Sequence, residues 1–310
     1  MLVTGGAGFV GSHLVDALLA DAMEVVVIDD LSSGSAARLP DEADLETVDI
    51  TDGRALDRIV DSSRPSGIFH LAAQSSVTIS VKDPGRDCAV NVAGTLNILE
   101  AAKRHDAPVV FTSTGGALYG NAAPRPTVEN TIPAPLAPYG ASKWAAEAYV
   151  NTWADAGGLP HTVCRLGNVY GPRQSPHGEA GVVAIISHQL WEGATPTLFG
   201  HGEPTRDYIH VDDVVDAMKT ALGTRGTFNI ATGIETSVLD LYDMLQSAAG
   251  KQIDPHLAPL RSGELERSSM DVTRARDALG WSARTELDKG VKDTYHALVR
   301  EFERAPADSA

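Results

Sequence analysis

The chain opens on a short apolar run, Met1–Val3. Thr4-Gly5-Gly6-Ala7-Gly8-Phe9-Val10-Gly11 follows at once, then the helical spacing of Val10–Ala20. Few folds accept that order. A glycine turn between a strand and a helix lets the backbone approach a ligand that a Cβ would exclude. The helix N-terminus adds free N–H groups and a positive dipole end, which suit a pyrophosphate. The pattern predicts the first βα unit of a dinucleotide-binding sheet, with Gly5, Gly8 and Gly11 at the turn and Phe9 and Val10 beside it.

Further units of the same kind follow. Glu24–Ile28, Leu45–Val48, Gly67–Leu71, Pro108–Thr112 and His161–Arg165 read as strands. Arg54–Ser62, Val92–Arg104 and Tyr139–Ala156 read as helices between them. Thr95, Ile98, Leu99 and Ala102 recur at helical spacing and should face the sheet. Repeated βα units imply a parallel sheet covered on both faces. After about Gly171 the alternation breaks into proline- and glycine-rich stretches, which predicts a smaller mixed α/β lobe. Val211–Leu222 and Thr227–Ile230 read as one more helix and strand returning to the main sheet. The expected fold is α/β: a Rossmann-like doubly wound sheet over 1–171, with 211–232 returning to it, and a lobe built from 172–210 and 233–304. Residues 305–310 have nothing to bury and should fray.

The second strand ends on Asp29, followed by Asp30. A carboxylate there accepts hydrogen bonds from an adenosine ribose and repels a 2′-phosphate, so NAD is expected over NADP. The net charge of −16 argues against nucleic acid, which needs a basic face. It fits either an ordinary acidic surface or one adapted to high salt. No apolar run is long enough for a membrane span, and the N-terminus does not read as a signal peptide. Cys88 and Cys164 make no disulfide framework, which points to a reducing cytoplasm. No cysteine or histidine spacing suggests a metal site.

Tyr139-Gly-Ala-Ser-Lys143 supplies the chemistry. Four residues apart, the two side chains share one helix face. A phenol with an ordinary pKa of about 10 is a poor base at neutral pH. A nearby ammonium and a cationic nicotinamide favour its ionised form, and Tyr139 then exchanges a proton with a substrate hydroxyl. Lys143 also reaches a ribose. A third hydroxyl is expected at the end of the fifth strand, where Ser113 and Thr114 stand, with Thr114 preferred.

In order along the chain, TGGAGFVGSHL, HLAAQ (His70–Gln74), Asn91-Val-Ala-Gly-Thr95, STGGALYG (Ser113–Gly120), YGASK, RLGNVYGPRQ (Arg165–Gln174) and RDYIHVDD (Arg206–Asp213) resemble the extended short-chain dehydrogenase/reductase family, within it the UDP-glucose 4-epimerase group. The resemblance covers nearly the whole chain. It implies a Rossmann domain holding NAD and a C-terminal lobe holding a UDP-sugar. Asp49, Ile50, Leu71, Ala72, Ala73, Gln74, Asn91 and Ser113 would border the cofactor. Asn168 would contact the diphosphate or sugar, Phe199 the uracil, Arg206 and Arg261 the diphosphate, and Glu264 the uridine ribose. Two guanidiniums neutralise a diphosphate with directed hydrogen bonds.

One departure bears on the reaction. Related dehydratases carry an Asp-Glu pair after the catalytic Thr, and decarboxylating relatives carry a Glu in that loop. Here Gly115-Gly116-Ala117 follows Thr114. Oxidation and re-reduction at one carbon remain. The implied activity is interconversion of UDP-glucose and UDP-galactose through a 4-keto sugar. The alternatives are the same chemistry on UDP-glucuronic acid, with Arg173 as the carboxylate's partner, or on UDP-N-acetylglucosamine, with room left by the small Ser268. A non-enzymatic NAD-sensing protein is a third reading. The family implies a homodimer through helices Val92–Arg104 and Tyr139–Ala156.

Overall fold

The computed structural model describes residues 1–177, 181–261 and 264–304; the tail expected to fray, 305–310, lies outside them. Seven strands form the main sheet: β1 (Leu2–Thr4), β2 (Val26–Asp29), β3 (Asp44–Thr47), β4 (Ile68–His70), β5 (Val109–Thr114), β6 (Thr162–Leu166) and Gly226–Ile230. Their spatial order is Gly226–Ile230, β6, β5, β4, β1, β2, β3, and every neighbouring pair is parallel. This is the doubly wound order expected. The chain reverses its direction of winding between β1 and β4, and ligands of such sheets bind outside the strand ends at that switch point.

The two-residue period of the strands splits their apolar residues between two cores. Val3, Val27, Phe69 and Val110 face one side with Leu14, Val15 and Leu18 of helix Phe9–Ala20, and with Val214 and Met218 of helix Val211–Ala221. Leu2, Ile28, Ile68, Val109 and Phe111 face the other, against Leu56, Ile98, Leu99, Ala146 and Val150. Each fully buried leucine or isoleucine contributes about 2 kcal/mol over its exposed state. Both sheet faces are covered, so the strands read as continuous apolar runs.

A third core belongs to the later part of the chain. Helices Val182–Glu192, Val238–Ala249 and Leu287–Arg304 pack around Val183, Ile186, Leu190, Leu241, Tyr242, Leu245, Val291 and Tyr295. Three short two-stranded pairings attend it. Asn168–Tyr170 lies beside Tyr208–His210, Thr197–Phe199 beside His256–Ala258, and Thr205–Arg206 beside Thr236–Ser237. Buried Asp207 joins this region to the sheet's edge. Its carboxylate accepts from the Thr232 amide (2.8 Å) and hydroxyl (2.6 Å), the Gly233 amide (2.9 Å) and the Met270 amide (3.1 Å).

Two stretches depart from the expected elements. The helix expected over Val92–Arg104 begins earlier, as Pro84–Cys88 and then a π-helical Ala89–Gly94, before the α-helix Thr95–Arg104. The extra residue per turn rotates Asn91 inward, a device common at functional sites. Gly115–Leu118 forms one helical turn with Thr114 as its cap: the Thr114 hydroxyl oxygen accepts from the Ala117 amide at 3.2 Å.

His70, at the end of β4, is buried between two hydroxyls. Thr95 donates to the Asn91 carbonyl at 2.6 Å, so it accepts from His70 Nε2 at 3.0 Å. Nδ1 then accepts from the Thr4 hydroxyl at 2.7 Å. A second proton on the ring would break that bond inside a dry core. Burial, then the charge of Lys143, push its pKa down to about 3, and burial pushes His161 down to about 4. Below the ordinary histidine range the unfolded chain therefore binds protons that the folded chain refuses. Stability must fall as pH falls through that window. The urea midpoint should drop between about pH 7 and about pH 5, and a flat profile would contradict this.

Candidate active site

At the switch point the strand ends open into a cleft of about 900 Å³. Its walls come from the turns that follow the strands. Gly5, Gly8, Phe9, Val10 and Gly11 follow β1; Asp29 and Asp30 end β2; Asp49 and Ile50 follow β3; Leu71, Ala72, Ala73 and Gln74 follow β4; Ser113 and Thr114 end β5. Tyr139, Lys143 and Asn168 complete it.

The glycine turn is required by its neighbours. Gly5 has φ +71°, and a Cβ there would stand 2.6 Å from the Ala72 amide nitrogen. A Cβ on Gly11 would collide with the Gly5 carbonyl oxygen. The turn thus presents bare backbone to the cleft at the N-terminus of helix Phe9–Ala20. Asp29 is buried, and its oxygens accept from the Ala7 amide (3.0 Å) and the Leu31 amide (2.9 Å). Burial raises its pKa and those two N–H groups oppose the rise. Each oxygen keeps a lone pair for a ribose hydroxyl. Asp30 is bound by the Ser32 amide and hydroxyl, and Asp49 by the Thr51 amide. The Ser113 hydroxyl lies buried in the cleft wall with no protein partner, so it has a hydrogen bond to give to a ligand. Bare turn, carboxylate and orphan hydroxyl together fit a dinucleotide.

Asn91 stands apart from the other expected cofactor residues. It does not line the cleft. Its oxygen accepts from the Gln74 amide (2.9 Å), and its NH₂ group is directed at the Gln74 carbonyl (2.9 Å), the Ser142 hydroxyl (3.0 Å) and Asp87 (3.1 Å). It fastens the loop after β4 to the helix that carries Tyr139 and Lys143.

That helix, Pro138–Gly157, starts with proline at its first turn and stops at Gly158, φ +68°. A buried ion pair holds its middle. Glu147 accepts from Arg165 Nη2 at 2.6 Å and Nε at 3.0 Å, and Arg165 Nη1 donates to the Tyr119 hydroxyl at 2.8 Å and the Glu129 carbonyl at 2.9 Å. Neither Glu147 nor Arg165 stood out in the sequence, because their roles depend on each other.

Lys143 is buried with its ammonium 4.1 Å from the centre of the Phe111 ring. Burial draws its pKa down to about 7, against the charges of Glu147 and Asp87. Tyr139 is pushed up to about 12, first by burial and then by Asp87, while its hydrogen bond with Thr114 pulls the other way. The expected ease of phenol ionisation is therefore not supplied by the protein's own groups. The reason is dryness: low polarity penalises the phenolate and the ammonium alike. Of the two candidate hydroxyls, Thr114 is the one whose side chain favours ionisation of Tyr139.

Gly115 is sterically required: a Cβ there would collide with the buried Met270 sulfur. One at Gly116 would stand 3.2 Å from Asn168 Oδ1, a tight contact that a small shift of that side chain relieves. A carboxylate side chain at Gly115 needs a repacked core.

The remaining expected substrate residues form a second group, outside the walls of this cleft. The Arg261 guanidinium lies 3.6 Å from the centre of the Phe199 ring and its Nη1 3.5 Å from Glu264. Arg206 donates to the Thr205 carbonyl at 2.9 Å; burial lowers its pKa, opposed by Tyr208 and Glu264. Arg261 thus stacks on one face of the Phe199 ring. Arg173 is not beside the cleft. Its Nη2 donates to Asp16 at 2.6 Å and its amide to Glu301 at 3.1 Å. Ser268 is half-buried, bonded through its amide to the Thr205 carbonyl at 3.1 Å, and does not line the cleft. The cleft-lining residues missed in the sequence include Arg38, beside Asp29; Gln174, whose amide donates to the Val169 carbonyl at 3.0 Å; and Arg86. Arg38 and Arg86 are basic residues in an acidic chain, a signal that was there to use.

Residues 1–231 match the NAD dependent epimerase/dehydratase family, and the chain belongs to it. The chain is 47% identical over 302 residues to the UDP-glucose 4-epimerase of Mycolicibacterium smegmatis, a match covering 94% of this chain and 96% of that one. The crystal structure of UDP-glucose 4-epimerase from Thermotoga maritima, with UDP-glucose, superposes with a TM-score of 0.95 at 43% identity, over 97% of this chain and 99% of that one. The enzyme of the same name from Thermus thermophilus, in complex with NAD, gives 0.89 at 40% identity, over 96% and 98%.

Proposed function

We propose that this protein is an NAD-dependent isomerase that interconverts UDP-glucose and UDP-galactose by inverting C4 of the sugar. One observation carries the reading: Tyr139, Lys143 and Thr114 line one wall of a dinucleotide-shaped cleft, and the two residues after Thr114, Gly115 and Gly116, carry no side chain that can eliminate water. The relatives at 47% and 43% identity support the choice of sugar.

A bound NAD would supply the hydride chemistry at C4. Gly5, Gly8 and Gly11 would hold its pyrophosphate against bare backbone, and Asp29 its adenosine ribose. Tyr139 takes the proton of the 4-hydroxyl and later returns it. Thr114 holds that oxygen during both transfers. Lys143 orients the nicotinamide ribose and, where it is protonated, supports the phenolate. Arg206 and Arg261 grip the diphosphate and Phe199 the uracil. Binding is thus concentrated on UDP, and the 4-keto sugar is free to turn over between the two hydride transfers. Arg173 is tied to Asp16, so the UDP-glucuronic acid alternative loses the cation assigned to it.

Tyr139→Phe removes the only group that exchanges the proton. Interconversion should fall by about 1,000-fold or more, while NAD stays bound to the purified protein. Substantial residual turnover would remove Tyr139 from this role. The reading also carries a homodimer. Trp144 and Tyr149 lie 42% and 39% exposed on helix Pro138–Gly157, apolar surface that a second copy would cover. A cytoplasmic setting suits free Cys88 and Cys164. A monomeric mass in solution would contradict the first, and recovery from a secreted fraction the second.

A further inference from the structure

Asp87 is a buried carboxylate to which the mechanism above gives no task. It lies on helix Pro84–Cys88, 1% exposed. Gln74 donates to it at 2.8 Å and Asn91 at 3.1 Å. Among the described residues no salt bridge partners it. Burying such a group without a cation costs several kcal/mol, so an isolated one calls for explanation.

The charges around the catalytic pair supply it. Tyr139 and Lys143 meet Asp87 from helix Pro84–Cys88, Glu147 from their own helix, His70 from β4 and Arg165 from β6. His70 is held neutral by Thr4 and Thr95. Glu147 is neutralised by Arg165. Arg86 and Lys82, on the neighbouring helical turns, are exposed to solvent. The side chains joining these elements, Gln74, Asn91, Ser142 and Thr114, carry no charge. Among the described residues Asp87 is the carboxylate without a salt bridge that acts on the pair: it opposes ionisation of Tyr139 and, after Glu147, favours the ammonium of Lys143.

We infer that Asp87 is a positioning residue of the proposed reaction: tied into the hydrogen-bond network of the catalytic helix, its negative charge adds to that of Glu147 in favouring the ammonium of Lys143 and holds the proton on Tyr139 until a positive charge enters the cleft. The same oxygen that accepts from Gln74 and Asn91 ties this charge to the cleft wall and, through Asn91 and Ser142, to the catalytic helix. The Ser142 hydroxyl in turn donates to the Tyr139 carbonyl at 3.0 Å. Charge and orientation are thus set by one network. This inference rests on the reading of Tyr139 as the proton exchanger.

Removing the charge acts in one direction on both partners. A phenolate that is no longer repelled forms more easily, so the pKa of Tyr139 falls. An ammonium that is no longer attracted is lost more easily, so the pKa of Lys143 falls too. Asp87→Asn keeps an oxygen for Gln74 and Asn91 and removes the charge. In the NAD-loaded enzyme both limbs of the kcat against pH curve should move to lower pH by about one unit. A residue that only packs would lower the curve without moving it. The Cζ resonance of Tyr139 in ¹³C-tyrosine-labelled protein, assigned with Tyr139→Phe, should titrate lower by the same amount. Asp87→Ser carries the same expectation should the amide variant fail to fold. Unmoved limbs and an unmoved resonance would overturn the inference. If the wild type turns over no UDP-sugar, the functional reading fails instead, and the tyrosine resonance, which needs no turnover, still decides the role of Asp87.

Discussion

The side-chain amide of Asn91 holds this site together. It binds both ends of the Gln74 peptide unit, Ser142 on the catalytic helix and the carboxylate of Asp87. Three pieces of chain that the sheet brings near one another are thereby fixed in register. The π-helical turn aims it inward. Thr95, one turn on, passes the constraint to His70 and so to Thr4 on β1. Thr4 also accepts from the Ala72 amide at 3.2 Å, against which Gly5 must pack. The glycine turn and the Tyr139 helix are therefore linked through one continuous set of hydrogen bonds.

Dryness governs what the site can do. It raises Tyr139 and lowers Lys143, leaving a phenol and an ammonium that both resist their catalytic charge states. A dry site makes every added charge count for more, since interactions weaken in proportion to polarity. The buried Glu147–Arg165 pair is costly to desolvate and contributes little net stability, but its directed bonds fix the catalytic helix against β6. Gly115 and Gly116 then set the reaction by what they leave out. Met270 occupies the space that a side chain at Gly115 would need.

Local pattern made the fold legible. The apolar runs alternate with helical spacing, and the glycine turn falls between a strand and a helix, so the doubly wound parallel sheet followed from the sequence. The gathering of Tyr139, Lys143, Ser113 and Thr114 around one cleft was legible for the same reason, because each sits at the end of a predicted strand or the start of a predicted helix. What escaped depends on distant partners. Asn91 meets Ser142 across 51 residues, and Arg173 meets Asp16 across 157. Arg173 looked free for a substrate carboxylate because nothing near it in sequence shows its partner. The π-turn was missed because its residues have ordinary helical propensity. Desolvation, which a count of neighbouring charges omits, raises the pKa of Tyr139.

The central claim is that one hydride leaves C4 and returns to the same carbon while the sugar stays in the cleft. UDP-glucose carrying deuterium at C4 tests it directly, incubated with purified protein and no added NAD. UDP-galactose that keeps its deuterium at C4 is the predicted result. Product that has lost the label to solvent, or a 4-keto sugar accumulating in its place, would contradict the account.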